Sequence, residues 1–209
     1  MNKKIRVGII FGGKSAEHEV SVMSAKSIYK EINKKKFDAS MVRISKQGIW
    51  QVSPAKLGLK FDVIFPVLHG TYGEDGSIQG LLKMLGLPFV GPNILGSAIG
   101  MDKVISKRLL REAKIPVAKF LVFYKGQEPS FINVKKDLGL PLFIKPANLG
   151  SSVGVSRVKT EKEFKSGVKE AFRFDSKILI EQAVVGRELE VSVLGNEDPV
   201  ASVPGEVIA

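Results

Sequence analysis

Apolar residues 5–11 form a short run closed by Gly12 and Gly13, after which Val22, Ala25, Ile28, Tyr29 and Ile32 recur at helical spacing. The pattern predicts a strand, a loop and a helix over residues 21–32. Two further apolar stretches, 39–44 and 49–52, flank Ser45, Lys46, Gln47 and Gly48 and predict a hairpin or a short β excursion. A buried strand is expected at 63–68, then a polar loop over 69–76, a helix over 77–85 and a short strand at Phe89 and Val90. Strands alternating with helices imply an α/β fold with a doubly wound, mostly parallel sheet. Ligands of such sheets bind beyond the carboxyl ends of the strands, so the loops after Phe11 and Leu68 are expected to face one crevice.

The pattern changes after the turn-rich triplet Gly91, Pro92 and Asn93. Helices are predicted over 103–113, 133–138 and 161–172, and strands over 120–124, 142–145, 153–158 and 178–181, which together make a central α+β unit. Residues 187–194 alternate as a strand would and open a third region. The expected division is 1–92, 93–185 and 186–209, the last being the incomplete start of a further subdomain.

Gly8, Gly13, Lys14 and Ser15 fit the spacing of a phosphate-binding P-loop. The intervening Ile9, Ile10 and Phe11 are interior strand residues, however, and an extended strand points its amides alternately sideways. It cannot form the cradle that a P-loop wraps round a phosphate.

Composition narrows the partners. The 209 residues hold 32 Lys and Arg against 21 Asp and Glu, a formal charge of +11, which favours an anionic partner. No RNA-binding aromatic motif, zinc-finger spacing or long basic helix is present, so nucleic acid falls away. No apolar stretch approaches the roughly 20 residues needed to span a bilayer, which removes the membrane. The apolar run after Lys3, Lys4 and Arg6 is shorter than the core of an export signal, so a cytoplasmic protein is expected. The absence of cysteine excludes disulfides and thiolate metal sites.

Four segments carry candidate chemistry. The loop from Gly12 to Ser21 places glycines, a carboxylate at Glu17 and two hydroxyls before a helix; Glu17 suits either a substrate ammonium or a plain helix start. The loop over 69–76 has three glycines and His69, which suits polarising a substrate carboxylate or a structural role, with Asp75 expected to cap the next helix. Lys145 ends an apolar strand and leads into Asn148, Leu149, Gly150, Ser151, Ser152, Val153 and Gly154, a loop able to close over a triphosphate. An unpaired lysine inside such a strand would be costly without a ligand or partner. Finally, an apolar strand leaves through Glu181 and Val184 to Glu188, a connector that offers an adenine slot and a ribose acceptor, or two ordinary surface charges.

In order and spacing these segments, with Met101 to Lys103, resemble the D-alanine:D-alanine ligase family of ATP-grasp enzymes across essentially the whole chain. The resemblance implies a pre-ATP-grasp amino-terminal domain followed by an ATP-grasp central domain, with the third domain truncated. It implies that Glu17 holds the ammonium of the first D-alanine, that Ser151 fixes Glu17 through a hydrogen-bonded network, and that His69 lies near the substrate carboxylate. Lys103 and Lys145 would contact the ATP phosphates, with the loop bearing Gly150, Ser152 and Val153 folding over them. Glu181 and the backbone near Val184 would meet the adenine, and Glu188 the ribose. The implied reaction is ligation of two D-alanines through an acylphosphate, for peptidoglycan precursors, by a homodimer. Mg2+ or Mn2+ would accompany ATP, its ligands expected beyond Ala209. The alternatives are a D-alanine:D-lactate or D-serine ligase and, for the 209 residues in isolation, an inactive nucleotide-binding piece.

Overall fold

The structure is a computed structural model and describes residues 3–208. Strand β1 (Ile5–Gly12) is the centre of a parallel sheet of order β2-β1-β3, with β2 at Phe37–Ile44 and β3 at Val63–Val67. A central parallel strand is covered on both faces, which explains why residues 7–11 are apolar without alternating. Helix α1 (His18–Glu31) covers one face, where Val7, Ile9, Phe11 and Val67 pack with Ala25. On the other, Ile10, Val42, Ile44 and Ile64 meet Leu57 of the one-turn helix α2 (Leu57–Lys60) and Ile78 and Leu82 of α3 (Ser77–Met84). Gly8 belongs to this second face: a Cβ there would lie 2.8 Å from the Phe61 ring and 2.9 Å from Ile64. The first glycine of the apparent P-loop pattern is thus a packing residue. The doubly wound arrangement agrees with the alternation of strands and helices in the sequence.

Two helices follow the first sheet, α4 (Ile94–Met101) and α5 (Lys103–Glu112). The second sheet is antiparallel with order β4-β7-β5-β6, comprising β4 (Phe120–Tyr124), β5 (Leu142–Pro146), β6 (Ser156–Val158) and β7 (Lys177–Gln182). Helices α6 (Phe131–Leu138) and α7 (Glu161–Phe174) cover one face through Val134, Leu138, Phe164 and Ala171, against Leu142, Ile144, Ile178 and Ile180. Side chains of a strand alternate between faces, so Phe143, Lys145, Leu179 and Glu181 must lie on the other. Only part of that face is covered, where Val104 of α5 meets Ala147 and Leu179. Lys145 and Glu181 stand on the rest.

Several elements differ from the sequence expectation. Helix α4 is not among the elements expected from the sequence; the Asn93 side chain caps it by accepting from Gly96 N at 2.8 Å, which helps offset the helix penalty of Gly96 and Gly100. The stretch 49–52 is not a strand: only Trp50 bridges back to Ile44. Residues 153 and 154 form a turn and Val155 a link, rather than the start of β6. The expected strand over 187–194 is two short strands, β8 (Glu188–Glu190) and β9 (Val193–Leu194), which pair with β11 (Gly205–Val207) and β10 (Val200–Ala201) and are exposed throughout.

Candidate functional site

The chemistry-bearing side chains gather at the carboxyl ends of β1 and β3 and on the open face of the second sheet. Cavities of about 440 and 590 Å³ flank His69; the first is also lined by Gly12, Gly13, Lys14 and Trp50, the second by Glu74, Lys103 and Gly150. The two Gly-rich loops therefore share a crevice. A third cavity of about 410 Å³ is lined by Lys103, Phe143, Lys145, Gly150, Ser151, Ser152, Glu181 and Val184. Lys103 and Gly150 belong to both the second and the third, so these two adjoin.

Glu17 precedes α1, and its carboxylate accepts a hydrogen bond from the Ser151 hydroxyl across 134 positions of sequence. The loop 69–76 packs against the same carboxylate. Gly70 has φ +69°, and a Cβ on it would sit 2.4 Å from Glu17 Oε2. Only glycine allows this approach. Among the described residues no cation forms an ion pair with Glu17, so its charge is available to a ligand. Of the neighbouring groups, His69 Nε2 lies 3.2 Å from Ser24 Oγ; Asp75 is not the expected cap of α3, whose N-cap is Gly76, and instead holds the preceding turn by accepting from Tyr72 N at 2.8 Å and Ser77 N at 3.0 Å.

The glycine-rich loop is tied at its base and strained at its tip. Asn148 donates to Asp175 through its backbone and side-chain nitrogens, both at 2.9 Å. Ser151 and Ser152 have φ of 48° and 58°, a left-handed conformation that non-glycine residues rarely hold without a functional reason.

On the open sheet face, Glu181 is buried yet pairs with two lysines. Lys145 donates to Oε1, and Lys107 of α5 stands 2.9 Å from Oε2. Strand register explains the first contact: Phe143 lies opposite Glu181, which puts Lys145 at the diagonal position on the same face. Burial alone would raise the Glu181 carboxyl, but the Lys145 and Lys107 ammoniums outweigh it, and the group titrates below the ordinary glutamate value.

Lys103 starts α5. Its backbone N–H donates to Ala147 O at 3.0 Å and its ammonium to Leu149 O. Asp102 fixes this start: one oxygen accepts from Val104 N and Ile105 N, the other from the Lys177 ammonium. Burial and then the charge of Lys145 push the Lys103 ammonium below the ordinary lysine value. Two lining ammoniums, Lys103 and Lys145, against the one carboxylate of Glu181, which Lys107 also neutralises from outside, leave a net positive pocket under a hydroxyl-bearing loop, an arrangement that takes a polyanion.

The structure thus brings Glu17 to Ser151, and Lys103, Lys145, Gly150, Ser152, Glu181 and Val184 to one cavity. Val153 and Glu188 do not line it; Glu188 is exposed on β8. Lys107 is absent from the sequence reading, and Asp102 enters it only within the stretch Met101 to Lys103, with no role of its own. Lys103, Lys107 and Arg111 recur every four residues on one helix, a signal that could have drawn Lys107 in. Among the described residues there is no group of three or more His, Asp or Glu able to hold a metal ion, and no helix long and apolar enough to cross a membrane.

Known proteins resemble this chain over nearly its whole length. Profiles described as D-ala D-ala ligase N-terminus and C-terminus match residues 6–60 with 51–92, and 109–209. A D-alanine--D-alanine ligase of Oceanobacillus iheyensis is 48% identical over 246 residues, covering 98% of this chain and 67% of that protein. The alignment exceeds the 209 residues here, so the relative carries positions without a counterpart. The two N-terminus matches overlap over residues 51–60.

Among solved structures, the D-alanine-D-alanine ligase from Coxiella burnetii superposes with a TM-score of 0.90 at 37% identity, over 98% of this chain and 71% of that one. The Bacillus anthracis ligase complexed with ATP gives 0.76 at 34%, over 90% and 62%. VanG D-Ala:D-Ser ligase from Enterococcus faecalis gives 0.86 at 31%, over 98% and 70%.

Proposed function

The chain belongs to the D-alanine--D-alanine ligase family, and from that premise we propose that it joins two D-alanines to D-alanyl-D-alanine at the expense of ATP, for peptidoglycan precursors. The observation that carries the reading is the pairing of an uncompensated carboxylate at Glu17 with a lysine-rich cavity under the same loop. In the first step the D-alanine carboxylate takes the γ-phosphoryl group of ATP and ADP leaves. In the second, the amine of another D-alanine attacks the acylphosphate carbon, phosphate leaves and the amine loses a proton. Glu17 holds the first ammonium, Ser151 fixes Glu17, and His69 faces the substrate carboxylate. Lys103 and Lys145 offset the charge that gathers on the phosphoryl oxygens, the term that dominates such transfers. The loop with Gly150, Ser152 and Val153 excludes water. Glu181 and the backbone near Val184 receive the adenine, and Glu188 the ribose.

The proposed division is 1–92 for D-alanine, 93–185 for nucleotide and 186–209 as the start of a further subdomain. By the same resemblance the enzyme works in the cytoplasm as a homodimer with Mg2+ or Mn2+. The acidic residues described here do not form a metal cluster, and no step is assigned to the metal. Phosphate release from ATP is expected to depend on D-alanine and to accompany dipeptide formation. The likeness to VanG gives a second reading, with D-serine in the acceptor place. Chromatography of products from mixed D-alanine, D-serine and D-lactate separates them, and a mixed product as the main species would replace the first reading by the second.

A pH dependence follows from Lys103. Its ammonium titrates below the usual lysine value, and bound phosphate favours the charged form. ATP affinity is therefore full below the lowered pKa and falls as pH rises through it, with proton uptake on binding. Lys103→Arg keeps the charge and is expected to move the fall to higher pH. Calorimetric ATP titrations between about pH 7 and 10, in two buffers of different ionisation enthalpy, measure the uptake. Identical heats in both buffers throughout that range would remove Lys103 from the phosphate site.

A further inference from the structure

Glu181 has a cation on each carboxylate oxygen, and the two come from different elements. Lys145 reaches Oε1 from β5 and lines the cavity; Lys107 approaches Oε2 from α5 and does not. The three side chains are only 20%, 19% and 11% exposed for Lys145, Lys107 and Glu181. The Lys107 ammonium also sits 5.5 Å from the ring centroid of Phe120, the residue paired with Glu181 across the sheet. Lys107 therefore stands behind Glu181, away from any ligand in the cavity.

Binding a triphosphate changes what Lys145 can do. The phosphates carry more negative charge than one carboxylate and compete for its ammonium. If Lys145 were the only partner, each nucleotide that drew it away would strand a buried carboxylate, a costly state relieved by protonation. A protonated Glu181 would offer a donor where an unprotonated one offers only acceptors. Oε2 is buried and stays paired with the Lys107 ammonium at 2.9 Å. Oε1, the oxygen that Lys145 leaves when it turns to the phosphates, is the one on the cavity side that can accept a ligand N–H.

We infer that Lys107 is a positioning residue, which keeps Glu181 ionised and in place as an acceptor for the exocyclic amino group of adenine while Lys145 serves the phosphates. The inference rests on the reading of Glu181 as the adenine contact. It assigns nucleobase selectivity to a lysine that touches no nucleotide. Lys103, four residues earlier on the same helix, has a different task, because its ammonium is directed to Leu149 O in the loop.

Inosine triphosphate tests this, since it has a carbonyl oxygen where ATP has the amino group. Affinities for both nucleotides are measured by calorimetry on the full-length protein, with Lys107→Met, Lys107→Arg, Lys145→Met and Glu181→Leu. Methionine keeps most of the apolar stem over Phe120, so packing is retained. Wild type is expected to prefer ATP by about tenfold or more, the worth of one charge-assisted hydrogen bond. Lys107→Met loses most of that preference through weaker ATP binding, and Lys107→Arg restores it. Lys145→Met weakens both nucleotides alike. A Lys107→Met protein with the wild-type ratio, or with both affinities reduced in proportion, overturns the inference. Absence of preference in wild type, or its survival in Glu181→Leu, which has no acceptor, overturns the reading of Glu181 and with it the inference, so the two failures are told apart.

Discussion

Replacing Lys145 by alanine is expected to lower kcat/KM for ATP by about 10²- to 10³-fold, the usual loss when a preorganised charge aimed at a transferring group is removed. The size follows from two roles of one ammonium. Lys145 lines the cavity under the glycine-rich loop, and it partners Glu181 when no phosphate claims it. Lys145→Met separates charge from packing, because it restores most of the stem without the ammonium. Initial rates at varied ATP and saturating D-alanine, with direct ATP titration, measure both variants. Wild-type behaviour of both would end the phosphate assignment; a defect in alanine alone would turn Lys145 into a packing residue.

Glu17→Gln is expected to raise the KM for D-alanine by roughly ten- to hundredfold, the range of one charge-assisted pair. Glutamine can still accept from the Ser151 hydroxyl, so the contact between the first loop and the glycine-rich loop is kept while the charge is lost. ATP affinity measured without D-alanine should therefore hardly move. An unchanged KM for D-alanine would reduce Glu17 to a residue of the helix start. A parallel loss in ATP affinity would instead make it a fastener of the loop.

Much of the scaffold is legible in the sequence because burial leaves a plain mark on strands. The β4 boundaries match the expectation, and the apolar runs ending at Phe11 and Lys145 place the loops that matter. The odd lysine at the end of β5 is legible for the same reason: an apolar strand rarely tolerates one without a partner. The partner is not legible. That Glu181 meets both Lys145 and Lys107 depends on the order β4-β7-β5-β6 and on how α5 lies across it, which local pattern does not encode. Helix α4 is hidden by its glycines and recovered by a cap and tertiary packing. The Glu17 to Ser151 contact was reached only by family resemblance. The same resemblance placed Val153 and Glu188 at the nucleotide, and neither lines the lysine-rich cavity.

The packing clusters have a consequence for how the protein is made. Those around the parallel sheet draw their members from residues 7 to 87, and those around the antiparallel sheet from residues 104 to 180, with no member shared. A ribosome adds about 5 to 20 residues per second, so the first core can close on the order of ten seconds before the last strand of the second emerges. During that interval Glu17 and His69 stand on finished structure while Ser151 and Lys145 are still being delivered. The nascent chain thus holds the amino-acid half of its site before the nucleotide half exists. A nascent chain stalled after the first core has emerged, but before the second sheet is made, should show that core resistant to proteolysis and should not retain ATP.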